Sequence, residues 1–86
     1  MVCMELAETT KYMNSNYYHE RFIAEYFQCK IRLKTLNTML EQLDKDSFDF
    51  TVVSPIPFLK TQAHIMKKYL RILEVRAKLE NIPLDL

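Results

Sequence analysis

The chain has 86 residues, of which 49% are hydrophobic, and a formal net charge of +1. It is long enough for one domain, and its bulk charge points to neither nucleic acid nor a membrane surface. It has no glycine, which excludes the phosphate-cradling loops of P-loop and dinucleotide-binding proteins, since those need close backbone approach and positive φ.

Residues 2–13 (VCMELAETTKYM) are predicted to form a short helix, with Val2, Leu6 and Met13 able to share one side. A helix this short persists only when docked. Glu5 and Glu8 stand where a signal peptide would carry basic residues, so none is expected. Asn14, Ser15 and Asn16 break the pattern, and Ser15 or Asn16 is the expected N-cap of the next helix. Glu20 then lies in the first turn, where its charge suits the helix dipole.

The second helix is predicted from about Tyr17 to Leu43. Phe22, Tyr26, Cys29, Leu33, Leu36, Leu40 and Leu43 recur at alternating steps of four and three, which keeps one apolar seam on one side. Asp44, Asp46, Ser47 and Asp49 then favour a turn. An extended connector is expected over 44–55, its Phe48 and Phe50 packed on the end of the hairpin. The third helix is predicted from about Ile56 to Asn81, after Ser54 as cap and Pro55 and Pro57 in the first turn, with Pro83 preventing continuation. Its seam is Ile56, Leu59, Ala63, Met66, Leu70, Leu73 and Ala77. The fold class is therefore all-α: one domain over 1–86, a long antiparallel helical hairpin with a short N-terminal helix.

Beside the second seam run Ile65, Tyr69, Ile72 and Leu79, adjoined by Val75. The N-terminal helix is expected to cover part of this stripe. The rest is expected to be a subunit interface, making a homo-oligomeric helical bundle.

Few residues suggest chemistry. Arg76 falls on the second stripe and needs a carboxylate or an anionic ligand; Glu80 at i+4 is the ordinary partner. From 55 to 81 there are six Lys and Arg against two Glu, a local balance of +4. The outer stripe Lys60, His64, Lys67, Arg71, Glu74 and Lys78 faces solvent or an anion, but it is nearly all charge and lacks the Asn, Gln and Ser expected for reading base edges, so nucleic acid is not the expected partner. Arg32 flanks the first seam and can meet Arg76 across a subunit interface. Tyr17, Tyr18, Phe22, Tyr26 and Phe27 cluster around Arg21, a combination that stacks bases and holds phosphates as well as it fills a core. The candidate ligand residues are Arg21, Arg32, Arg76, Tyr17, Tyr26 and Tyr69. His19, His64, Cys3 and Cys29 lack metal-ligand spacing, and Cys29 suits the role of a small, reduced seam residue. No cofactor, metal or catalytic group is expected, and no run of apolar residues is long enough to span a membrane.

The pattern Tyr18-x-Glu20-Arg21-x-x-x-Glu25-Tyr26, followed by Lys30-x-Arg32-Leu33-x-x-Leu36 and Leu40, resembles the first helix of a group of short phage proteins related to a small protein of the crAss-like phages. Gln62-x-x-x-Met66-x-x-Tyr69-Leu70-x-x-Leu73-x-x-Arg76 extends the resemblance. It implies a phage accessory protein in the cytoplasm of an infected bacterial host, acting against host defence. Three functions follow: a non-catalytic sponge for a small anionic nucleotide signal, a protein-binding inhibitor of a host defence nuclease, or a purely structural assembly.

Overall fold

The computed structural model describes residues 5–44 and 55–84. Three helices account for nearly all of them: α1 (Leu6–Met13), α2 (Tyr18–Asp44) and α3 (Ile56–Glu80). There is no strand among the described residues. The expected extended connector and its aromatics lie outside them, as do Cys3 and the proposed Ser54 cap.

α2 and α3 run antiparallel and pack along the two seams, except that Ile56, expected to open the second, is exposed. Phe22, Tyr26, Leu33, Leu70, Leu73 and Ala77 are buried, with Cys29, Ala63 and Met66 half-buried against them. The alternating four–three spacing explains this: it holds each row on one side of a 3.6-residue helix over many turns. The core is fullest at the α2 N-terminus, where Ile23 and Phe27 join it and Tyr12 of α1 and Ile82 of the tail pack in.

The ends of the helices are set by side chains and by one left-handed residue. Glu5 donates its N–H to the Glu8 carboxylate at 3.1 Å and starts α1. Ser15 accepts the Tyr17 N–H at 3.0 Å and donates its hydroxyl to Glu20. α3 ends at Asn81, whose φ of 57° is the left-handed conformation usually given to glycine. With no glycine in the chain, asparagine takes that place. The Ile82 N–H then reaches back to the Ala77 carbonyl at 2.8 Å, which turns Ile82 into the core.

The structure corrects one expectation. α1 does not cover the second stripe of α3; it packs on α2. Its anchor is Thr9, fully buried, which donates to the Leu6 carbonyl at 2.6 Å and accepts from the Gln28 amide of α2 at 2.9 Å. Gln28 points away from the α3 side of α2, so α1 sits behind the hairpin. Ile65, Tyr69, Ile72, Val75 and Leu79 are left exposed.

Candidate functional site

Two surfaces gather the chemistry. The first lies where α2 begins and α3 ends. Helical spacing puts Tyr18 and Phe22 on the α3-facing side of α2, and antiparallel pairing brings Arg76 and Glu80 opposite them. Arg76 lies over the Phe22 ring at 5.0 Å. It donates from Nε to Glu80 Oε2 at 3.1 Å and from Nη2 to the Tyr18 hydroxyl oxygen at 2.7 Å. Tyr18 donates its O–H to Glu80 Oε1 at 2.7 Å, closing a ring of three hydrogen bonds. His19 stands edge-on to Tyr18 at 5.9 Å.

The electrostatics follow from that ring. The hydrogen bond from Tyr18, helped by Arg76, holds the Glu80 carboxyl below its ordinary value. The same bond to Glu80 pushes the Tyr18 hydroxyl up, and Glu80 likewise raises Arg76. The cluster is exposed and keeps its full charge at neutral pH. The arginine and the phenol between them donate to both oxygens of the Glu80 carboxylate, so the ring satisfies these donors within the chain.

The other sequence-predicted residues lie elsewhere on the hairpin. Arg21 is half-buried and donates to the Ser15 carbonyl at 2.8 Å, on the α1 side of α2. Tyr17 is exposed. Tyr26 is 5% exposed and donates its hydroxyl to Glu74 Oε2 at 2.7 Å. Burial, then the bond to Glu74, pushes its hydroxyl up to about 12. Lys30 sits over its ring at 5.5 Å. Arg32 is exposed and lies ten residues further along α2 than Phe22, about 15 Å by helical rise. One chain therefore does not bring Arg21, Arg32 and Arg76 to a single cleft. Tyr18 and Glu80 complete the Arg76 cluster but are absent from the predicted set. The signal was the i,i+4 step from Tyr18 to Phe22, which extends the first seam by one turn.

The second surface is the outer face of α3. Phe58, Ile65, Ile72 and Leu79 repeat every seven residues, and all four are exposed, from 57% for Ile72 to 78% for Leu79. Tyr69 and Val75 widen the stripe. His64, Arg71 and Lys78 each precede a stripe residue by one, about 100° round the helix, and Lys68 lies between. The face is thus an apolar strip with a basic edge. On α2, Lys34, Thr35, Thr38, Met39 and Gln42 border an open depression of about 370 Å³. Burial raises the Cys29 thiol, which fits a packed rather than a reactive cysteine. No group of three His, Cys, Asp or Glu could hold a metal among the described residues, and no described helix is long and apolar enough to cross a membrane.

The described residues thus form a small all-helical hairpin with a polar cluster at one end and an apolar strip with a basic edge along one side. The chain belongs to the Sequestin family, whose model matches residues 16–79, the region that holds both long helices. The family's name denotes sequestration, a function of binding rather than catalysis. No curated protein and no solved structure matches the chain.

Proposed function

We propose that this protein binds and sequesters a small anionic nucleotide immune signal without cleaving it. In this reading it is a phage anti-defence protein, acting as a homo-oligomer in the cytoplasm of the infected bacterial host. The observation that carries the reading is the Sequestin match over 16–79. Arg76 is paired with Glu80 within the chain, so a phosphate would bind there by taking the place of the Glu80 carboxylate. Arg21, Arg32 and Arg76 would pair with phosphates, and the exposed rings of Tyr17 and Tyr69 would stack a base. Tyr26 would back the site from inside the hairpin, holding Lys30 at its edge. Because the arginines are apart in one chain, the ligand cleft would form between copies.

The test is a panel of cyclic dinucleotides and cyclic ADP-ribose isomers. The expected result is a rise in Tm with one member, depletion of that ligand from solution, and its return intact on denaturation. No shift across the panel would sink the proposal. The excess of basic residues on α3 also favours a second reading, a protein that docks on an acidic surface of a host defence nuclease. A stoichiometric host protein captured from infected cells, with no nucleotide bound, would favour that reading.

A further inference from the structure

The outer face of α3 presents a partner problem that the single chain does not solve. A stripe with strict seven-residue spacing from Phe58 to Leu79 is the pattern of a helix that packs on another helix along its whole length. α2 occupies the opposite side of α3, and α1 lies on α2. At their exposures Phe58, Ile65, Ile72, Val75 and Leu79 offer on the order of 600 Å² per chain, so joining two copies buries at most about 1,200 Å², the lower end for a specific interface.

The stripe is also self-complementary. Positions 58, 65, 72 and 79 are evenly spaced and all apolar, so the spacing is the same in both directions. An antiparallel copy can set Phe58 against Leu79 of the other copy and Ile65 against Ile72 of the other copy, about a two-fold axis between residues 68 and 69. Antiparallel order also opposes the helix dipoles favourably. A two-fold axis perpendicular to the helices brings like edges together. The basic rows, His64, Lys68, Arg71 and Lys78 of each copy, then border one groove. The apolar contact and the charge therefore pull in opposite directions, and an anion in the groove reverses the sign of the second.

Resting on the sequestering reading above, but placing the anion on α3 rather than on Arg21, Arg32 and Arg76, we propose that a second copy of this chain packs antiparallel on the outer face of α3. A phosphate-bearing anion held between the paired basic rows closes the dimer. Ligand binding and dimerisation are then one linked equilibrium: whatever neutralises the groove tightens the pair, and the pair makes the groove.

The test is sedimentation equilibrium of the intact protein over a range of concentrations, with and without inorganic pyrophosphate as the probe. The expected result is a reversible dimer. With pyrophosphate at ten times its own dissociation constant, the dimer dissociation constant falls about tenfold. The double variant Ile65→Gln/Ile72→Gln changes only exposed positions to a good helix former, so it keeps its helical circular dichroism while remaining a monomer. Lys68→Gln/Arg71→Gln dimerises without pyrophosphate and no longer responds to it. A folded wild-type protein that is monomeric at every concentration, with and without pyrophosphate, overturns the proposal. So does a dimer unaffected by the Ile65/Ile72 change, or one indifferent to pyrophosphate. A dimer that pyrophosphate tightens in a protein ignoring every nucleotide sinks the sequestering reading and leaves the pairing. A monomer that binds a nucleotide does the reverse.

Discussion

Leu73 and Ile72 are neighbours in sequence with opposite positions in the fold, which makes them the sharpest test of the packing. Leu73 is 0% exposed, in the cluster with Phe22, Tyr26 and Leu70, whereas Ile72 is 57% exposed on the far side of α3. Leu73→Ala removes a fully buried side chain from between two packed helices, and a cost of about 3 kcal/mol is expected. Alanine is the better helix former by only a few tenths of a kcal/mol, so propensity does not rescue it. A chain of this size is stable by something on the order of 4–13 kcal/mol, so the variant should still fold, with a large fraction of its stability gone. Ile72→Ala should cost under about 0.5 kcal/mol in dilute protein. The measurement is urea unfolding followed by circular dichroism, reading the midpoint at constant slope. If the two variants lose equal stability at dilution, or Ile72→Ala loses more, the seam has been assigned to the wrong side of α3.

Tyr26 should show itself at alkaline pH. Its folded pKa, pushed up to about 12, lies above the unfolded value of 10.0, so its stabilising contribution is complete below pH 10 and disappears between pH 10 and about 12. Phenolate absorbance should show a tyrosine titrating at about 12, and Tyr26→Phe should remove it while costing about 1 kcal/mol near neutrality for the lost bond to Glu74. At Asn81, Asn81→Gly should leave stability unchanged or raised, and Asn81→Ala should lower it by about 1 kcal/mol, because φ of 57° penalises a Cβ; thermal melts decide it. Glu80 should titrate below an ordinary glutamate in a carboxyl-resolved NMR titration. Its share of stability is present above the unfolded pKa and is lost as pH falls through the depressed one. Tyr18→Phe and Arg76→Gln should each move that midpoint up, since the phenol bond and the arginine both lower it.

The parts legible in the sequence are those set by local periodicity. Phe22, Leu33, Leu70, Leu73 and Ala77 announce their burial through spacing alone, because a four–three step can satisfy only one face of a helix. Ile65, Ile72 and Leu79 announce their exclusion from that face for the same reason. Phe58 escapes because it lies in the first turn beside Pro57, where turn chemistry masks its place in the seven-residue repeat. The position of α1 was not legible. It rests on a polar contact, Thr9 with Gln28, between residues whose types favour no partner, and on Tyr12 packed against the core. The ring of Tyr18, Arg76 and Glu80 was half legible: Arg76 and Glu80 are four apart on one helix, but Tyr18 lies 62 residues from Glu80 and arrives only through the hairpin's register. The same register keeps Arg21 with Ser15 and away from Arg76.

A sequestering protein has a simpler energetic task than an enzyme. It makes no distinction between ground state and transition state, so every contact it gains on binding serves affinity directly. A lone helical hairpin offers a small ligand little enclosure; the depression on α2 is open, and the Arg76 cluster stands at the surface. Enclosure has to come from a second wall. In the proposed pairing a second copy would be that wall, covering the stripe on the outer face of α3, and an anion between the basic edges would tighten the pair. In that arrangement the hydrophobic burial of the interface adds to the ligand's own contacts in a single equilibrium. A chain too small and too poor in glycine to wrap a phosphate with its backbone can then hold one with side chains from two copies.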